Sequence, residues 1–132
     1  MQRSVLLSIR PTFAEAILSG SKRFEFRRAL FKDPGVTRVV VYASTPVRRV
    51  VGEFEIEQVL SMKPSQLWAK TSGGAGIKRS YFDSYFQGLA VGHAIEVRSV
   101  RRYKEPRELK GHYAISQPPQ SFRYLPASPA AK

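Results

Sequence analysis

The segment Gly20-Ser21-Lys22-Arg23-Phe24-Glu25-Phe26-Arg27 constrains the fold more than any other stretch of the chain. An apolar pattern of helical period runs up to Gly20, and a glycine is a natural stop because it enters the left-handed region at little steric cost. Beyond it, Phe24 and Phe26 alternate with Glu25 and Arg27. Period-two alternation describes a strand with phenylalanines on one face and charges on the other. The phenylalanines account for folding. Lys22, Glu25 and Arg27 require another reason, and two readings fit: a polar pocket or anion site, or a surface strand carrying a local ion pair.

The flanking sequence supplies an α+β order. Val5 to Ile9 is a short apolar strand. Pro11 suits the first position of a helix, Thr12 and Glu15 have capping-box spacing, and Ala14, Ile17 and Leu18 form its apolar face. Asp33-Pro34-Gly35 is turn chemistry, and Arg38 to Ala43 is a β-branched, buried strand broken by Thr45-Pro46. Val50 to Val59 alternates cleanly, with Phe54 and Ile56 opposite a stripe of Glu53, Glu55 and Glu57 that reads as solvated. Ser61 to Lys70 reads as a short helix. Tyr81 to Gln87 reads as another, with Ser80 and Asp83 as its capping pair; Tyr81, Phe82, Tyr85 and Phe86 read as core ahead of a stacking platform, and Tyr42 and Tyr85 offer faces for stacking although core packing is the reading preferred for both. Gly92 to Val100 is a strand, and a last strand around Phe122 to Leu125 precedes an Ala/Pro/Ser tail read as disordered.

Regular β-α-β alternation is missing, which argues against a doubly wound sheet. The expectation is one α+β domain over residues 1–115, followed by a C-terminal extension, 116–132. Its sheet would have five to six strands curled into a barrel and flanked by two or three short helices. A chain of 132 residues has room for one core, and 42% hydrophobic residues suffice to build it.

Composition narrows the function classes. The lack of cysteine excludes disulfides and thiolate metal sites. His93 and His112 stand apart with no metal-ligand spacing, so neither metal nor cofactor is expected. No apolar run reaches the roughly 18 to 20 residues of a membrane span, and the N-terminus lacks a signal-peptide core. A soluble, cytoplasmic protein without membrane association is expected.

Twenty-two Lys and Arg against ten Asp and Glu give a net charge of +12. The excess sits at the ends: seven basic and two acidic residues over 1–32, eight and two over 98–132, and seven against six between them. Ends that meet would form a surface able to attract phosphates and release counterions. Arg outnumbers Lys, and its planar fork suits phosphate contacts and base stacking. RNA or a nucleotide is the expected partner, with DNA as an alternative; an acidic lipid or protein would also satisfy the charge. Ser72 to Gly76 is glycine-rich and lacks the Gly-Lys-Ser/Thr ending of a P-loop. It reads as a mobile lid, with Lys78 and Arg79 at its base to meet a ligand's backbone.

Several runs together resemble a known family. They are Leu6-Leu7-Ser8-Ile9-Arg10-Pro11, the helix ending at Gly20, and the pattern Gly20-x-Lys22-x-x-Glu25-x-Arg27. They continue through Val41-Tyr42-Ala43-Ser44, Val50-Val51-Gly52-Glu53-Phe54 and the helix before Gly88. Over residues 3 to 110 the chain resembles an ASCH domain of the PUA-like superfamily. The resemblance implies a β-barrel flanked by helices, and RNA or nucleotide binding in a cleft lined by the motif. Some members of that family are ribonucleases, and others hydrolyse the acetyl amide of N4-acetylcytidine.

On this resemblance Lys22 would hold a phosphate or act as a general base. Glu25 would accept the amino protons of a base or pair with a neighbouring cation. Arg27 would clamp phosphate or orient Glu25, while Ser8, Arg10 and Ser44 would approach from strand ends. Lys22 is a catalytic candidate only for a hydrolase. The chain departs from the acetylcytidine hydrolases, which place a threonine where this chain has Glu25 and a carboxylate where it reads Thr71 to Gly76. Three classes remain: an RNA or nucleotide reader selecting an unpaired or modified base, a small hydrolase of RNA or a modified nucleoside, and a regulatory protein-interaction module. The reader is the reading carried forward; the sequence leaves oligomeric state open.

Overall fold

The computed structural model describes residues 3–126. In chain order they form β1 (Arg3–Ile9), α1 (Pro11–Ser19), β2 (Phe24–Arg27), β3 (Val36–Ala43), β4 (Arg49–Met62), α2 (Pro64–Thr71), α3 (Arg79–Phe86), β5 (Gly92–Arg107), α4 (Leu109–Tyr113) and β6 (Phe122–Leu125). The six strands share one sheet in the order β2-β5-β4-β3-β1-β6. The β1–β3 pair is parallel and the other pairs are antiparallel. The mixed α+β class expected from the sequence is the one formed.

The sheet is bent by its two longest strands. The β4–β5 ladder shifts register at three places, around Val50/Gly52, Glu55/Ile56 and Ile56/Gln58, and such bulges kink a strand and deepen its twist. The two edge strands are bridged by one side chain: Arg27 of β2 donates to the Ser121 carbonyl, immediately before β6, at 2.8 Å. Beyond α4 the chain adds β6 to the edge of β1, with Leu7 opposite Phe122. The tail read as disordered, 127–132, lies outside the described residues.

Both faces of β1 are buried, which explains its unbroken Val5-Leu6-Leu7 run. Val5, Leu7 and Ile9 join Val39, Val41, Phe54 and Ile95 beneath Ala14 and Ile17 of α1. Leu6 faces the opposite cluster, with Val40, Tyr42, Tyr103 and Leu109 of α4. A third cluster sets Phe24 and Phe26 against Leu67 of α2 and Phe82 and Phe86 of α3.

Local chemistry explains the helix ends, with corrections. Gly20 ends α1 at φ 91°, and Pro11 occupies the first turn. Neither expected capping box forms. The N-caps are Arg10 and Lys78, two positions ahead of Thr12 and Ser80, and neither gives a side-chain capping bond. Glu15 instead pairs with Arg102 at 2.8 Å, and Asp83 pairs with Arg79 at 3.5 Å. The expected helix from Ser61 starts only at Pro64, because β4 continues to Met62.

The glycine-rich segment is not the free lid expected of it. Ser72–Gly74 forms a 3-10 turn, Ala75 is buried, and the Gly74 carbonyl accepts from the Arg23 N–H at 2.8 Å. The Glu53, Glu55 and Glu57 stripe is also not solvated in the way expected. Arg38 of β3 pairs with Glu53 and Glu55, and Arg98 of β5 pairs with Glu57. No helix among the described residues is long and apolar enough to cross a membrane.

Candidate functional site

A cleft of about 440 Å³ opens where the C-terminal ends of β1 and β2 meet α1 and α3. Ser8, Arg10, Lys22, Glu25 and Arg27 all line it. The octapeptide explains how. Gly20 ends α1, the Lys22 N–H returns to the Ala16 carbonyl at 3.0 Å, and the chain then enters β2 with Phe24 and Phe26 turned to the third cluster. Glu25 and Arg27 are left on the cleft side.

Lys22 is the most unusual residue. It is 1% exposed, although lysine is almost never buried. Its Nζ donates to the Ala75 carbonyl at 2.6 Å and lies 4.8 Å from the Phe26 ring centroid and 5.1 Å from that of Phe13. Burial disfavours the ammonium and lowers its pKa to about 8, against the opposing pull of Glu25. Gly76, at φ +69°, makes room for it: a Cβ there would lie 2.6 Å from Lys22 Cγ. The loop thus holds the lysine in place.

Glu25 and Arg27 form a buried ion pair at 3.1 Å. Burial raises the Glu25 pKa, while Arg27 and Lys22 pull it down. Arg27 also donates to the Ser8 carbonyl at 3.3 Å and to both the carbonyl and hydroxyl of Ser121. Its fork is therefore committed to holding β1, β2 and the C-terminal segment together. Among the described residues no hydrogen bond reaches the second carboxylate oxygen of Glu25. Ser8 is likewise spoken for, its hydroxyl donating to the Pro119 carbonyl at 2.7 Å.

Ser44, Lys78 and Arg79 are not among the side chains lining the cleft. Ser44 shapes the β3–β4 turn, its N–H donating to the Ile9 carbonyl at 2.9 Å and its carbonyl accepting from Val47. Lys78 caps α3, and Arg79 lies over the Trp68 ring while pairing with Asp83.

Sequence reasoning preferred core packing for the tyrosines that form the cleft's aromatic wall, although it had allowed Tyr85 a stacking face. Tyr81 and Tyr85 line it and stack on each other at 6.3 Å, and Phe13 meets Tyr81 edge-on at 5.4 Å. On α3, Phe82 and Phe86 take the core and the two tyrosines, one position behind each, face the cleft. Helical spacing does carry that signal, since Tyr/Phe doublets four residues apart place polar-tipped rings on one side. Arg28 lies 4.4 Å above the Tyr85 ring and donates to its carbonyl, and Arg10 lies 5.7 Å from the Tyr81 ring; both arginines are exposed at the mouth. The Tyr85 hydroxyl donates to the Phe26 carbonyl at 3.2 Å, and burial raises its pKa.

The arrangement offers a buried lysine, one carboxylate oxygen, flat aromatic surface and two exposed guanidinium groups. Such a set suits a ligand that is planar in one part and anionic in another. Among the described residues no group of three or more His, Asp or Glu is placed to hold a metal.

Comparison with known proteins gives a consistent result. The model of the ASCH domain family matches residues 7–101. The ASCH domain-containing ribonuclease of Zymomonas mobilis is 30% identical over 126 residues, covering 94% of this chain and 85% of that protein. The large ribosomal subunit protein uL22 of Ureaplasma parvum serovar 3 is 34% identical over 90 residues, covering 68% of this chain. This chain spans only 29% of that ribosomal protein's length. The crystal structure of ASCH from Zymomonas mobilis superimposes with a TM-score of 0.85 at 31% identity, over 93% of this chain and 87% of that one.

Proposed function

Because this chain belongs to the ASCH domain family, we propose that it binds single-stranded RNA and seats one nucleotide in the cleft around Lys22. The observation that carries this reading is the buried lysine beside Glu25 beneath an aromatic wall flanked by Arg10 and Arg28. Single-stranded RNA is recognised through unstacked bases laid on aromatic or guanidinium planes and hydrogen-bonded at their edges. Tyr81 and Tyr85 supply the plane. The free oxygen of Glu25 accepts the amino protons of a base. Lys22 keeps donors beyond the one given to Ala75, and these meet a phosphate or carbonyl oxygen. A volume of about 440 Å³ is in the range of small-ligand sites. Of the two parts considered for Arg27, this reading takes the second: it orients Glu25, and it fixes the cleft wall as well. The net charge of +12 adds sequence-independent attraction.

The test is a fluorescence titration with short 2′-O-methyl RNA at fixed salt. Lys22→Met is expected to weaken binding at least tenfold while leaving the fold intact, and unchanged affinity would remove the cleft from the account.

A second reading, RNA cleavage, is favoured by the name of the Zymomonas relative and by the lysine itself. With a pKa near 8, part of Lys22 is neutral at physiological pH and can accept a proton. It would take the proton of a 2′-hydroxyl as that oxygen attacks the neighbouring phosphorus. The P–O5′ bond breaks, a 2′,3′-cyclic phosphate forms, and the departing 5′-oxygen takes a proton from solvent. Cleavage of RNA but not of 2′-O-methyl RNA, lost in Lys22→Met, would establish it.

A further inference from the structure

A second concavity, of about 480 Å³, lies at the far end of β5. The sheet register ties it to the same end of the molecule as the cleft. Ser8 of β1 is opposite Tyr42 of β3, Tyr42 is opposite Val50 of β4, and Val50 is opposite Arg107 of β5. One rung therefore runs from the cleft's Ser8 to Arg107 across three strand spacings, about 14 Å at the usual 4.8 Å each.

The far end of that rung is basic. Arg107 stands on it and Arg49 beside it, Arg101 and Lys104 line the concavity, and Arg48 and Lys110 flank them along the chain. The carboxylates of this region are Glu53, Glu105 and Glu108, and Glu53 is taken by Arg38 and the Tyr103 hydroxyl. Glu108 is engaged by Arg49 at 3.5 Å. Among the described residues no salt bridge holds Arg48, Arg101, Lys104 or Lys110. All four are exposed. Arg107 is braced between the Tyr103 ring, 3.7 Å below its guanidinium carbon, and the Tyr113 hydroxyl, to which it donates at 3.1 Å. A stacked, tethered guanidinium beside loose cations is built to meet an anion, whereas Arg102 on the same strand is already neutralised by Glu15.

We propose that this row is a track for the phosphate backbone of the RNA seated in the cleft, carrying the strand from Arg10 past the β3–β4 turn to the concavity beside Arg107. The inference rests on the cleft reading of the previous section. Affinity should therefore grow over the first few nucleotides and then level off, once the strand reaches the concavity.

The experiment compares wild type with the double variant Arg101→Gln/Lys104→Gln, whose changes lie on exposed side chains. Binding of nucleoside monophosphates is measured by calorimetry, and that of mixed-sequence 2′-O-methyl oligonucleotides of two to eight nucleotides by anisotropy across a salt series. The track predicts equal monophosphate affinity for both proteins. It also predicts a smaller length-dependent gain in the variant, with a salt slope shallower by about 1.4, or 0.7 for each lost phosphate contact. The same gain and slope in both proteins would overturn the track and leave the cleft standing. Failure of wild type to bind monophosphates or dinucleotides at all would overturn the cleft reading and the track with it.

Discussion

Replacing Lys22 by methionine should make the protein more stable while removing its ability to bind. The side chain is 1% exposed, and burial brings its pKa from 10.5 to about 8. A difference of about 2.5 units corresponds to about 3 kcal/mol by which the fold disfavours the charged lysine. Below pH 8 the lysine is charged in both folded and unfolded chains, and this cost is present in full. Between pH 8 and 10.5 the unfolded chain binds the proton and the folded one does not, so stability rises with pH. Above 10.5 the cost is gone. Methionine fills a similar volume between Phe13 and Phe26 but leaves the Ala75 carbonyl without its donor, a loss of about 1 to 2 kcal/mol. The net expectation at pH 7 is a gain of about 1 to 2 kcal/mol. Urea melts of both proteins at pH 7.0 and 9.5 measure it, and subtracting one from the other cancels the titrating groups that do not interact with Lys22. The advantage of the variant should shrink by about 2 kcal/mol over the 1.5 units above pH 8. A variant less stable by more than 2 kcal/mol at pH 7, or a difference independent of pH, would refute the argument.

Three more expectations follow from the same site. Gly76→Ala places a methyl 2.6 Å from Lys22 Cγ at a residue with φ +69°, so strain and overpacking together should cost about 2 to 4 kcal/mol in a denaturant melt. That variant should also lose RNA affinity, because the lysine must move. Arg27→Met leaves Glu25 buried with its principal partner gone and should destabilise by about 3 to 5 kcal/mol; Arg27→Met with Glu25→Gln should recover part of that loss in the same assay. If Lys22 meets ligand phosphate as an ammonium, monophosphate affinity measured by calorimetry should fall as pH rises through about 8, and Lys22→Met should flatten that profile.

Much of this site was written in one octapeptide. Gly20 had to be a left-handed stop, the phenylalanines had to face a core, and the remaining charges had to share a side of the strand. What the octapeptide could not specify was the environment on that side. Lys22 precedes β2, and it is buried by contacts with Ala75 and Gly76, more than fifty residues away. The two capping boxes failed because a proline at the start of α1 and an extended Lys78 set the helix starts before the polar pairs could act. The glutamate stripe had its spacing right, but its partners come from neighbouring strands, and cross-strand pairing follows from register that local alternation does not encode. Tyr81 and Tyr85 were read as core because helical period identifies a face without saying what lies opposite it. β6 was legible as a strand from its alternation, whereas the anchoring of Arg27 by Ser121 depends on the edges of the sheet coming together.

The most direct test is a crystal structure of the protein with a 2′-O-methyl trinucleotide. One base should lie against Tyr81 or Tyr85 with its edge at Glu25, and an oxygen of the same nucleotide should fall within hydrogen-bonding distance of Lys22 Nζ. RNA bound elsewhere on the basic surface, with the cleft left to solvent, would contradict the account.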